Sequence, residues 1–209
     1  MVGQTTNNND ADALIGEATS LIEKKCYHEA MSTLQKGISA DPNNPKVWEN
    51  MAICNLEMGK PKMALQALNH LVRIQPQSHS GWADKGFLHL LLNETEEGID
   101  ALQESLRINP RRVYGWEILG MVLVTEERWE EAINVLERTI DLNPNSAVTW
   151  YNLAVCYLLF DELDLAVESA EVAFSIDPSL KELAEDWWDL VQDDFDDDSS
   201  ISMTESSAS

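Results

Sequence analysis

The sequence predicts an all-α fold, a solenoid of five helix-turn-helix units with a C-terminal capping helix, and three residue columns carry that prediction. Pro42, Pro76, Pro110, Pro144 and Pro178 are each 34 residues apart. Trp48, Trp82, Trp116 and Trp150 follow the first four prolines by six residues each. Small residues keep the same phase, Ala18, Ala52, Gly86, Gly120 and Ala154 in one column and Ala30, Ala64, Gly98, Ala132 and Ala166 in another. Self-similarity at a fixed period of this length is the mark of a stacked array.

Each column has its own physical cause. Proline lacks a backbone N–H and cannot continue a helix, so every Pro marks a boundary between units. The residues around it, as in Asp41-Pro42-Asn43-Asn44 and Asn143-Pro144-Asn145-Ser146, have turn and N-cap chemistry. Small residues let two helix backbones approach, with the Trp filling the space beside that contact. Between the boundaries the apolar spacing is helical: Met31, Leu34 and Ile38, then Leu65, Leu68 and Val72, then Ile99, Leu102 and Leu106, then Ile133, Leu136 and Ile140. The units are 11–44, 45–78, 79–112, 113–146 and 147–180, each a pair of antiparallel helices. The turns within a pair fall near Met58-Gly59-Lys60-Pro61 in the second unit and Thr125-Glu126-Glu127 in the fourth. One pair cannot bury its apolar face alone, so neighbours stack to complete a core.

The ends read differently. Residues 1–10 are polar and Asn-rich, the pattern of a disordered N-terminal tail without a secretory signal. Residues 181–192 continue as a capping helix with apolar Leu183, Ala184, Trp187, Leu190 and Val191. Trp187 and Trp188 are adjacent, about 100° apart on a helix, and cannot both point inward. Residues 193–209 form an acidic, Ser-rich disordered tail; from Glu185 onward there are nine acids and no base.

Trp116-x2-Leu119-Gly120, and Trp150-x2-Leu153-Ala154-x2-Tyr157 with Ala166 and Pro178, resemble the tetratricopeptide repeat, and the likeness covers residues 11–180. Leu14 replaces Trp in the first unit, and Asn55, His89 and Leu123 occupy the usual aromatic position in the middle three, which implies looser local packing. The resemblance implies a right-handed superhelix whose concave face, lined by the first helix of each pair, holds extended peptides or helices. Some relatives grip a C-terminal carboxylate there with Lys, Asn and Arg. The corresponding residues here are Ile15, Thr19, Asn50, Ser80 and Asp84, of which only Asn50 matches.

Charge narrows the partners. Against 37 acidic side chains stand 14 basic ones, for a net charge of -23. Such a surface repels phosphate backbones and anionic lipid, so nucleic acid and membrane are poor partners and apolar or basic polypeptides good ones. The three cysteines, Cys26, Cys54 and Cys156, show no paired spacing and read as reduced thiols of a cytoplasmic protein. No apolar run approaches the ~20 residues that span a bilayer.

Side chains at the fifth, ninth and twelfth places of each unit share one helix face. The ninth-place column, Thr19, Ile53, Phe87, Met121 and Val155, is apolar in four of its five members, where a polar residue is usual in the family. A contiguous apolar groove needs an occupant. Ile53, Phe87, Leu91, Glu117, Met121, Tyr151, Val155 and Leu159 are the expected lining. The competing reading buries these residues against neighbouring units through tight curvature. Glu23, Glu49, Glu57 and Glu117 project from the same faces with only Lys46 opposing them, which suits an amphipathic or basic ligand.

No catalytic constellation is legible. His28, His70, His79 and His89 are scattered without zinc-ligand spacing, and His89 lies in a packing column. The glycines fall at packing and turn positions rather than in a phosphate-binding loop. The expected protein is a non-catalytic scaffold or adaptor, monomeric or weakly homo-oligomeric, with no cofactor or metal. The alternative is a self-associating structural subunit of a larger complex.

Overall fold

A computed structural model describes residues 3–184 together with 187 and 188, and they form helices joined by short turns. In chain order these are α1 (Gly3–Glu23), α2 (Tyr27–Ala40), α3 (Pro45–Glu57), α4 (Pro61–Ile74), α5 (His79–Leu91), α6 (Thr95–Ile108), α7 (Val113–Thr125), α8 (Trp129–Leu142), α9 (Ala147–Leu159), α10 (Leu163–Ile176) and α11 (Leu180–Leu183). Consecutive helices pack as pairs: α1 with α2, α3 with α4, α5 with α6, α7 with α8, and α9 with α10. The sequence reads residues 11–180 as one array. Packing divides the chain into two compact units, Met1–Pro110 and Arg111–Ser209.

The proline column ends each second helix as expected. Asp41, Gln75, Asn109, Asn143 and Asp177 cap α2, α4, α6, α8 and α10, with φ between -145° and -130° and ψ between 74° and 97°. A following proline excludes the helical region for the residue before it, so the chain must leave the helix there. Asn44 and Ser78 then cap the next helices through side-chain oxygens that accept from the Lys46 and Gly81 amides.

The tryptophan column closes the same junctions. Trp48, Trp82 and Trp150 are half-buried, and each donates its indole N–H to the carbonyl of the proline six residues earlier, at 2.8, 3.0 and 2.8 Å. The expected role was space filling; the observed one adds a hydrogen bond across the turn.

Turns within the pairs repeat just as strictly. Lys25, Gly59, Asn93, Glu127 and Asp161 all have φ between 58° and 69°, again 34 residues apart. Around each, the next residue's amide reaches back five positions, as in Cys26 to the Leu21 carbonyl and Arg128 to the Leu123 carbonyl. The left-handed residue's own amide reaches back three positions, as in Gly59 to Leu56. This is the Schellman closure of a helix C-terminus, which satisfies carbonyls the helix leaves open.

Both small-residue columns are buried throughout. In the first unit, a Cβ added at Gly86 would lie 2.9 Å from Leu102 Cγ and 3.0 Å from the Gly98 carbonyl oxygen, so α5 and α6 approach as only glycine permits. Ala18, Ala30, Leu34, Val47 and Cys54 form one core cluster, and Ala52, Ala64, Leu68, Leu71 and Leu88 another. In the second unit Ala154, Val167, Ala170, Ala184 and Trp188 pack together.

The ends depart from expectation. α1 reaches back to Gly3, so residues 3–10 belong to a helix rather than to a disordered tail. Of the expected capping helix, α11 spans Leu180–Leu183, Ala184 lies in a turn, and Trp187 and Trp188 are helical. Residues 185, 186 and 189–209, including the rest of that helix and the acidic tail, lie outside the described residues.

Candidate functional site

The expected groove residues come from α3, α5, α7 and α9; Ile53, Phe87 and Leu91 belong to the first compact unit, and Glu117, Met121, Tyr151, Val155 and Leu159 to the second. In the first unit Ile53 and Phe87 line a cleft of about 180 Å³ between α3 and α5, with Leu56 beside them and Leu68 and Leu88 behind. Glu49 and Asp84 flank it. Ile53 is 41% exposed and Phe87 48%, so the curvature that would bury this column does not do so here. Leu91, one helical turn beyond Phe87, is 53% exposed and extends the apolar surface.

In the second unit Glu117 and Met121 line a cleft of about 340 Å³ between α7 and α9, together with Tyr114, Ile118, Val148 and Asn152. Met121 is 55% exposed, and Tyr114 and Val148 are more open still. The second-place residues Tyr114 and Val148 were not among the expected lining. The signal was available, since both are large and apolar where the earlier units have Asp12, Lys46 and Ser80.

The last three expected residues behave differently from one another. Leu159 is exposed and Val155 half-buried. Tyr151 is half-buried, and its hydroxyl donates to the Leu183 carbonyl at 3.0 Å. Its ring packs against the cluster that holds Ala184 and Trp188. The chain's own C-terminal segment thus engages the Tyr151 hydroxyl and packs beside its ring. Trp188 is buried edge-on against Phe174, and its indole nitrogen has no hydrogen-bond partner among the described residues.

A third and larger cleft, about 620 Å³, opens between α1 and α3. Its lining includes Asp12, Thr19, Glu23, Lys46, Glu49 and Asn50. Asn50 donates to the Thr19 hydroxyl at 3.0 Å, and that hydroxyl donates to the Ile15 carbonyl. The one residue that matches the carboxylate-gripping pattern is therefore bonded within the protein. Of the described side chains lining these three clefts, Lys46 is the only cation. Other basic groups pair along their own helices, Arg107 with Glu104, Arg128 with Glu131 and Arg138 with Asp141. The Arg107 and Arg128 hydrogen bonds hold Glu104 and Glu131 below the ordinary carboxylate range.

His89 is buried on α5, with Nδ1 2.7 Å from Glu94 Oε2, in keeping with its packing column. Burial raises the Cys156 thiol to about 11 and raises the Cys54 thiol as well, which keeps both protonated and unreactive. Burial, aided by a hydrogen bond to Glu137, raises Tyr157 to about 12. Among the described residues no group of three His, Cys, Asp or Glu side chains is placed to hold a metal ion. No described helix is long and apolar enough to cross a membrane.

The family model described as Tetratricopeptide repeat matches residues 21–85 and 123–185, together more than half of the chain. Among solved structures, the chain is similar to YrrB, titled a TPR protein with an unusual peptide-binding site, at 20% identity and a TM-score of 0.72. That match covers 83% of this chain and 90% of YrrB. MamA from Desulfovibrio magneticus RS-1 is 17% identical with a TM-score of 0.68, covering 81% of this chain and 96% of that one. PilF of Pseudomonas aeruginosa is 18% identical with a TM-score of 0.63, covering 82% and 78%. These identities speak to the fold alone. No curated protein sequence matches the chain significantly.

Proposed function

The chain belongs to the tetratricopeptide repeat family, and from that premise we propose a non-catalytic adaptor that holds an apolar or basic segment of a partner polypeptide. The observation that carries this reading is the α3–α5 cleft, where Ile53, Leu56 and Phe87 stay substantially exposed between the carboxylates of Glu49 and Asp84. Apolar surface held open on a folded chain favours an occupant that removes it from water. Carboxylates on both flanks favour an occupant with positive charge and disfavour an acidic one. YrrB, of similar fold, is titled for a peptide-binding site, which supports peptide capture as the mode.

The test is titration of a fluorescent basic amphipathic peptide into the protein. Binding is expected for the native chain, with at least a tenfold loss in Phe87→Asp and no change in helical circular dichroism. Equal affinity for the variant would overturn the reading.

A further inference from the structure

We propose that two adjoining clefts of the first unit form one two-part receptor, for a segment carrying a large apolar side chain with a lysine or arginine close by. This rests on the adaptor reading and assigns each half of the ligand a place. The α3–α5 cleft takes the apolar side chain, and the α1–α3 cleft takes the cation.

Glu49 joins the halves, since it lines both clefts. On the apolar side, about 180 Å³ bounded by Ile53, Leu56 and Phe87 suits a single anchor. A cavity of roughly 150 Å³ takes one benzene-sized group. On the other side Asp12, Glu23 and Glu49 line a larger, more polar cleft against the single ammonium of Lys46. An acidic cleft alone would specify nothing beyond a counterion. Its meaning comes from sharing a wall with an apolar cleft, because an amphipathic segment meets both demands at once. The hydrogen bond between Asn50 and Thr19 leaves the matching clamp residue engaged within the protein, so the polarity is the reverse of a carboxylate grip.

Spacing follows from α3. Glu49 and Ile53 are four residues apart, about 6 Å along a helix axis. Two residues of extended chain span about 6.6 Å and put both side chains on the same side. The favoured segment therefore has an aromatic or large aliphatic residue with Lys or Arg two positions away. The charge contribution is modest, because exposed ion pairs are weak and salt screens them.

The experiment uses the full-length chain and labelled ten-residue peptides read by fluorescence anisotropy at low salt. One peptide carries Phe with Lys two positions on; a second replaces Lys by Gln. The native chain is expected to bind the Lys peptide about fivefold more tightly. In the triple variant Asp12→Asn, Glu23→Gln, Glu49→Gln that preference should vanish. Native protein that does not distinguish the peptides, or a triple variant that still does, overturns the two-part receptor and leaves the adaptor reading standing. Failure of both peptides to bind the native chain sinks both. All substituted side chains are exposed, and circular dichroism confirms folding of each variant.

Discussion

Glu127 has a φ of 58°, in a backbone region that disfavours side chains with a Cβ. Lys25, Asn93 and Asp161 share that conformation, and only Gly59 occupies it without steric cost. The Schellman hydrogen bonds around each site hold the turn against this strain. Glu127→Gly is expected to stabilise the protein by about 0.5–1 kcal/mol, and Gly59→Ala to destabilise it by about 1 kcal/mol or more. Urea unfolding at neutral pH measures both, and a destabilised Glu127→Gly would contradict the assignment of strain. Gly59 made its turn legible in the sequence, and the period extends the position to its four non-glycine equivalents. At Lys25 and Glu127 that left-handed backbone was not legible, because Lys and Glu carry no local preference for it, whereas Asn93 and Asp161 are of the residue types that tolerate it. Period supplied the place, and helix-end hydrogen bonding supplied the conformation.

At the scale of the element, α5 and α6 meet through Gly86 and Gly98, with backbone atoms at the limiting distance. Backbone cannot swing aside as a flexible side chain can, so Gly86→Ala is expected to cost about 1–3 kcal/mol through overpacking. Gly16 on α1 is the control: a Cβ there meets nothing within 4 Å. Gly16→Ala should stabilise by about 0.5–1 kcal/mol through helix propensity. Thermal melts of the two variants should shift in opposite directions. Helix positions and packing columns were readable because boundary prolines and small residues act locally. The groove was readable only in part. Ile53, Phe87 and Met121 are exposed as their register predicts, whereas the half-buried Tyr151 is engaged by a bond to Leu183, 32 residues away. A contact made by an irregular terminal segment has no period and leaves no trace in a repeat pattern. The same reasoning accounts for α1, whose extension to Gly3 lies upstream of the first repeated position.

Across the whole molecule, the 23-charge excess of acid over base sets how the fold responds to its solvent. Like charges repel in the compact state, and the Debye length falls from about 30 Å at 0.01 M salt to about 8 Å at 0.15 M. Raising sodium chloride over that interval is expected to raise the melting temperature by a few degrees. A melting temperature that falls would mean that attractive pairs such as Arg107–Glu104 outweigh the net repulsion. Net charge was fully legible in the sequence. Its concentration beside apolar floors at Glu49, Asp84 and Glu117 required the fold, because these residues are far apart along the chain.

The indole-to-proline bonds at Trp48, Trp82 and Trp150 also give the molecule built-in sensors. Each places an exchangeable proton where one pair hands over to the next, with its own resonance in a nitrogen-edited spectrum. A junction that opens releases its proton to solvent while intact ones retain theirs. The order in which those signals fade on warming would map, without any attached probe, where the array begins to come apart.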